Sequence, residues 1–334
     1  MQIKPRSGLR LSPAAGYRSP AGGPLPACAP SGSPSMPIRD VLLALLAVLA
    51  LGLAFVAIKV GVAHMPPLLL TALRFLFAAL PAAFFIPPPA APVGVVVAFG
   101  VMLGVVQFGL LISAIEIGMP AGLASLLIQL QAFFTVGLVW LAFGERPNRW
   151  QIAGAVLAAG GMAIIAARWI GGTSVLPLAM VLGAAMAWAA ANLIGRHAGA
   201  ADRFALVIWG SLAAPLPLFA LSLLFEGPAA IAAALSPPSW QAVASVGFMA
   251  YPATVFAFSL WNLLLSRHSA AVVAPYALLI PVVGMVSSSI AFNETLTPPE
   301  VAASALILAG LLVGTRGGPN RRRGGASDRA SGAS

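Results

Sequence analysis

Residues 41–58 read VLLALLAVLALGLAFVAI, eighteen consecutive side chains without a charge or a hydrogen-bonding group. As a helix this run rises about 27 Å, close to the hydrocarbon thickness of a bilayer. It is apolar on every side, so it has neither the polar face of a helix on a soluble domain nor the alternation of a barrel strand. Outward from it, runs of the same kind place helices at 39–59, 68–86, 93–115, 121–142, 151–167, 177–195, 204–225, 240–265, 271–292 and 300–315. The 334 residues are 60% hydrophobic and only 8% charged, too few polar groups to cover a water-facing surface of this size. The expected fold class is all-α, a polytopic membrane protein with ten transmembrane helices and the lipid bilayer as its solvent.

Ten crossings return the chain to the side on which it started, and the basic residues choose that side. Lys4, Arg6, Arg10, Arg18 and Arg39 precede the first span, Arg146, Arg149, Arg196, Arg203 and Arg267 follow in alternate loops, and Arg316, Arg321, Arg322, Arg323 and Arg329 end the chain. Lys59 and Arg168 fall on the other side, and Arg74 falls inside a span. The positive-inside rule then predicts a multi-pass protein of the cell inner membrane with both termini cytoplasmic. The net charge of +10 is accounted for by anionic inner-leaflet lipid, with no nucleic acid partner. Residues 1–36 are rich in Pro, Gly and Ser and contain Cys28, the one cysteine, so no disulfide forms within the chain. That segment reads as a disordered arm or as the product of a misassigned start, with Met36 the true one, and 316–334 as a basic disordered tail.

The spans fall into two sets of five. Phe143-Gly144-Glu145 closes the fourth and Phe292-Asn293-Glu294 the ninth, a constant offset of 292 − 143 = 149 that also carries Gly161 to Gly310 and Ala121 to Ala270. Lys59 ends the first span as Arg196 ends the sixth. Five is odd, so the copies, 37–167 and 177–315, enter the membrane in opposite directions. Inverted five-helix repeats are the architecture of alternating-access carriers.

Several stretches carry a resemblance to a known family. They are Gly52-Leu53-Ala54-Phe55-Val56-Ala57-Ile58-Lys59-Val60-Gly61, Met65-Pro66-Pro67, Leu73-Arg74-Phe75, Gly118 to Leu126, Gln131-Ala132-Phe133-Phe134-Thr135, Phe143-Gly144-Glu145-Arg146, Ala274-Pro275 and Pro281-Val282-Val283-Gly284. From about Met36 to Thr315 the chain resembles the EamA branch of the drug/metabolite transporter superfamily. The resemblance implies a secondary carrier that exports amino acids or related metabolites of the cysteine and O-acetylserine type. The chain departs from the family pattern at Leu51 and Ala54, where Trp and Asn are common, and at Glu116, where the exporter type often has Asn.

A carrier of a small zwitterion needs a few hydrogen-bonding and aromatic groups near the bilayer midplane. Gln131, Trp188 and Tyr251 lie roughly 15 Å into their spans and Gln107 somewhat deeper, which makes them the expected substrate contacts. Gln129 is about 200° from Gln131 around the helix, so it is assigned to a neighbouring helix instead. Arg74 is a cation inside the second span, where a charge at full depth costs about 2.5–3.5 kcal/mol. Three outcomes are open for it: snorkelling to the outer surface, pairing with Glu116, or pairing with a substrate carboxylate. Glu116 is a candidate coupling group. Pro275 and Pro281 free the carbonyls of Ala271 and Ala277 and have no proline counterparts in the first half, which predicts a kink in the ninth span alone. Glu145 and Glu294 end helices, where the dipole disfavours a carboxylate, and are assigned to latching one half against the other.

Other chemistry is poorly served. His64, His197 and His268 lie in separate loops with no Cys partner, so neither a metal nor a catalytic site is expected, and no cofactor. The chain has no phosphate-binding Gly-x-x-x-x-Gly-Lys-Ser/Thr run, which makes a carrier secondary rather than ATP-driven, and not an enzyme. The alternative is another substrate class, such as cationic drugs or nucleotide-linked sugars; cationic drugs call for a carboxylate deep in a span, and none of the acidic residues lies there. Gly100-x-x-x-Gly104 and Gly310-x-x-x-Gly314 have the spacing of close helix contacts and are expected to pack within the bundle.

Overall fold

The computed structural model describes residues 36–170, 175–197, 203–294 and 296–316. All but the last residue of the expected arm and all but the first residue of the expected tail lie outside them. Every regular element among the described residues is a helix. In chain order they are α1 (Ile38–Val62), α2 (Pro67–Ala83), α3 (Val93–Glu116), α4 (Ala121–Phe143), α5 (Arg149–Ile170), α6 (Leu176–His197), α7 (Arg203–Ser211), α8 (Pro215–Phe225), α9 (Pro228–Leu235), α10 (Trp240–Arg267), α11 (Ala270–Ala277), α12 (Leu279–Phe292) and α13 (Pro298–Thr315).

Among the described residues, eight helices are long and apolar enough to cross a membrane: α1, α3, α4, α5, α6, α10, α13 and the stretch Val272–Phe292 that α11 and α12 share. The run expected at 204–225 is broken. It forms α7 and α8, bent by 40° where residues 212–214 leave the helix before Pro215. Proline lacks the donor for a continuous ladder, so the new helix starts with Pro215 in its first turn. The run expected at 68–86 is the shorter helix α2, of 17 residues.

The irregular backbone recurs at one spacing. α3 is π-helical over Val101–Gln107 and α10 over Tyr251–Phe256. α4 tightens to a 3₁₀ turn at Ile128–Leu130, and Leu278 separates α11 from α12. Gly144 and Asn293 end α4 and α12 in the left-handed region, with φ of 68° and 52°. The 149-residue offset carries residues 102–107 onto 251–256, Gln129 onto Leu278, Gly144 onto Asn293, and the start of α5 onto that of α13. The kink was expected in the ninth span alone, on its prolines; the departure from α-helical bonding occurs at the equivalent place in both spans, and in α4 it is a 3₁₀ turn without proline. The two irregular turns are in contact: Gln129 Nε2 points at the Ala277 carbonyl, 3.5 Å away, a long contact to one of the two groups Pro281 and Pro275 were expected to free.

Glycines set the closest approaches. A Cβ on Gly154 of α5 would stand 2.4 Å from the Gly310 carbonyl oxygen of α13, and one on Gly161 2.6 Å from that of Ala303. On Gly100 of α3 it would stand 2.0 Å from the Gly210 carbonyl oxygen of α7, while on Gly104 it would meet the Ala214 methyl at 2.4 Å. Both small-residue motifs thus pack inside the bundle, as their spacing predicted. Gly100→Ala should lower the thermal unfolding midpoint of the purified protein by the equivalent of about 1–3 kcal/mol, since backbone rather than a flexible side chain must move. Gly94→Ala, with nothing within 4 Å, should leave it unchanged or slightly raised. Equal midpoints for the two variants would show that the α3–α7 crossing does not need its glycine.

Candidate functional site

Two cations are each held between a phenylalanine and a glutamate from the other half of the chain. Lys59, in the last turn of α1, makes an ion pair with Glu294, and its Nζ stands 4.7 Å from the Phe292 ring centroid. Arg196, in the last turn of α6, pairs with Glu145, its Nη2 2.6 Å from Oε1, and its Cζ stands 4.9 Å from the Phe143 ring centroid. The left-handed residue between Phe and Glu ends the helix and turns the carboxylate off its axis. Gly adopts that conformation freely and Asn more readily than other side chains do.

The dipole objection to a glutamate at a helix end is answered at Glu294. Its two oxygens also lie 3.4 Å from the backbone N–H groups of Ala121 and Gly122, so the C-terminal carboxylate of one helix caps the positive N-terminus of another, and Ser288 Oγ donates to it as well. Burial alone would raise the Glu294 pKa, but hydrogen bonds from Lys59 and Ser288 and the Lys59 charge outweigh it and hold it below the usual value. Elsewhere, Glu226 accepts from the N–H groups of Leu68 and Leu69 at the start of α2. Asp40, buried at the start of α1, takes Arg267 Nη1 at 3.0 Å and stands 2.7 Å from His268 Nε2 beyond the end of α10.

A polar stripe runs from the middle of α6 to the Arg196 pair. Trp188, Asn192 and Arg196 are spaced by four and share one helix face. Asn192 Nδ2 donates to Gln131 Oε1 at 2.8 Å and to Thr135 Oγ1 at 3.2 Å, and Thr135 Oγ1 donates to the Gln131 carbonyl at 2.7 Å. Asn192 is exposed and Trp188 half-buried. Gln131 and Trp188, both expected contacts, are thus brought to one stripe by a residue the sequence reading passed over. The signal was present in the i, i+4, i+8 spacing of Trp188, Asn192 and Arg196.

Arg74 is a separate centre. It is 4% exposed, which excludes snorkelling, and it does not pair with Glu116, which is exposed beside His64 in a shallow groove of about 540 Å³. The α2 backbone turns Arg74 into the bundle instead. Its Nη2 donates to Thr254 Oγ1 in α10 at 3.2 Å, and its Cζ lies 3.7 Å from the Phe108 ring centroid and 5.2 Å from that of Phe75. Gln107 is 1% exposed. Tyr251, 45% exposed, opens the π-helical stretch of α10, and among the described residues no hydrogen bond ties it or Gln107 to the Gln131 group. Pro275 stands inside α11, and Pro281 is buried in the first turn of α12, where its carbonyl oxygen lies 3.3 Å from Ser125 Oγ.

The profile of the EamA-like transporter family matches the chain twice, over residues 39–167 and 175–315. A protein of Salmonella typhimurium named as a probable amino-acid metabolite efflux pump is 40% identical over 290 residues, covering 85% of this chain and 97% of that protein. One of the same name from Escherichia coli (strain K12) is 38% identical, covering 84% and 95%. A protein of known crystal structure, 21% identical, superposes over 83% of this chain and 96% of its own with a TM-score of 0.58, a likeness of fold.

Proposed function

The chain belongs to the EamA-like transporter family, and from that premise we propose that it exports amino acids or related metabolites across the inner membrane by alternating access. Ten spans form two inverted five-helix halves, with α2 and the α7–α8 pair completing the count and both termini cytoplasmic. The observation that carries this reading is the pair of cation receptacles. Each joins a cation of one half to the Phe-x-Glu of the other, and opposite insertion of the halves puts Lys59–Glu294 at the outer face and Arg196–Glu145 at the inner one. A carrier needs a closure at each face that can open while the other holds. The recurrence of π, 3₁₀ and left-handed backbone at one offset, and the two matches to one family profile, support the halves being repeats.

Substrate contacts are assigned to Gln131 and Trp188, joined by Asn192 and Thr135, and to Gln107, Tyr251 and Arg74. Gating is assigned to Glu145 and Glu294, with bending of the ninth span at Pro275 and Pro281, and Glu116 is assigned to coupling. Each assigned contact is a hydrogen-bonding, charged or aromatic group rather than a reactive nucleophile beside a base, as suits carriage rather than chemistry.

The test is counterflow in proteoliposomes with labelled amino acids, cysteine and O-acetylserine among them. Uptake against internal unlabelled substrate is the expected result. Counterflow of a cationic drug or a nucleotide-linked sugar, with none of any amino acid, would overturn the substrate class.

A further inference from the structure

Arg74 is a buried cation for which the described protein supplies no counter-charge. Its Nε and Nη1 have no hydrogen-bond partner. Thr254 Oγ1 accepts from Nη2 and spends its own proton on the Met249 carbonyl, and the remaining close neighbours are the faces of Phe108 and Phe75. The described carboxylates are committed or distant. Asp40 holds Arg267 and His268, Glu145 holds Arg196, and Glu294 holds Lys59. Glu226 caps α2, Glu300 closes the capping box of α13, and Glu116 is exposed. A guanidinium does not lose its proton readily enough to escape this by neutralisation.

Arg74 also sits between two stretches of irregular helix. Phe108 follows the π-helical stretch of α3, and Thr254 lies within that of α10. A π register is a frequent mark of functional sites and leaves a helix a place to slip. Gln107, the residue before Phe108, is buried with both its amide atoms unpartnered.

We infer that Arg74 is the seat of the substrate's carboxylate, so that the exported class is defined by a free carboxyl group rather than by its amine or side chain. The inference rests on the export reading and deepens it. An arriving carboxylate supplies the missing negative charge and accepts N–H groups now idle, while the π-facing contacts keep the guanidinium in place when the seat is empty. Because Arg74 is enclosed, occupancy requires α10 to move off it, which couples loading to the change of state.

The experiment measures thermal stabilisation of the purified full chain by O-acetylserine and by cysteine, each beside its carboxamide, which keeps the amine and the side chain but removes the charge. The acids should stabilise the wild type and the amides at least tenfold less well by concentration. Arg74→Met should lose the distinction, and Arg74→Lys should retain part of it, as a point charge without the guanidinium's planar donors. The wild-type comparison stands even where a variant fails to fold. Equal stabilisation by acid and amide, stabilisation surviving in Arg74→Met, or none by either acid would each overturn the seat. The same acids are assayed by counterflow: transport without acid-selective stabilisation removes the seat and leaves the exporter, whereas acid-selective stabilisation without counterflow of any amino acid keeps the seat and removes the exporter.

Discussion

Glu294→Gln should open the outer closure about tenfold more often than the wild type, read as the labelling rate of a buried reporter by a membrane-impermeant maleimide added outside. The reporter is Ser125→Cys, close in size to the native residue and 0% exposed in α4. Cys28 is the one native cysteine, so Cys28→Ser supplies a clean background. Tenfold corresponds to about 1.4 kcal/mol, between the small value of an exposed ion pair and the larger cost of breaking a buried one. Lys59 and Glu294 side chains are 32% and 16% exposed, which fits that middle range. Lys59→Met should give the same increase, and the double variant little more than either, because both remove one interaction. The Arg196–Glu145 pair, proposed to close the inner face, is more exposed, at 47% and 49%, so Glu145→Gln should have the weaker effect and bias the carrier the other way. Ser125→Cys labelled at an unchanged rate in both outer variants would dismiss the closure.

The same pair fixes a pH dependence. A carboxylate whose folded pKa lies below its free value contributes stability that is complete above the free value and is lost as pH falls through the folded one. Glu294 is such a group. The proposed closure at Lys59–Glu294 should therefore hold unchanged between about pH 5 and 8, and any pH response of transport in that window belongs to other groups.

How far the sequence foretold this arrangement depends on whether a feature is periodic or relational. The apolar runs located every long helix, because in lipid a helix must satisfy its own backbone and the side chains have only to be apolar. Pro215 was visible in the run at 204–225, yet its apolarity masked the break. Phe143-Gly144-Glu145 and Phe292-Asn293-Glu294 were legible as a pattern recurring at a fixed offset, but their contacts with the two cations were not, since Lys59 and Glu294 are 235 residues apart and nothing local announces their meeting. The capping of Ala121 and Gly122 by Glu294 was hidden for the same reason. Arg74 was conspicuous as a charge in a span, and only packing could decide that it faces Thr254 rather than Glu116. The 3₁₀ turn in α4 carried no signal at all, because Ile128–Leu130 needs neither Gly nor Pro to adopt it.

Asn192→Ala should cut amino acid counterflow by roughly thirtyfold at low substrate concentration, mostly through a raised KM. Its Nδ2 group makes two hydrogen bonds, to Gln131 and Thr135, each worth about 1 kcal/mol, and losing both is equivalent to about 2 kcal/mol. Among the described residues Gln131 Nε2 and Asn192 Oδ1 are not used in any hydrogen bond, which leaves a donor and an acceptor side by side for the substrate's polar groups other than its carboxylate. Removing Asn192 both deletes the acceptor and releases the Gln131 amide from its fixed orientation. Thr135→Val removes the bond from Asn192 and the one Thr135 donates to the Gln131 carbonyl, but it leaves Asn192 Oδ1 and the Gln131–Asn192 bond in place, so it should cost less than Asn192→Ala, about fivefold. Asn192→Asp retains an acceptor but cannot donate to Gln131 Oε1, which separates the two roles: a KM near that of the wild type would mean the acceptor matters, and one near that of Asn192→Ala would mean the orientation of Gln131 does. A KM unmoved in Asn192→Ala would place the substrate away from the stripe and reduce Asn192 to a link between α4 and α6.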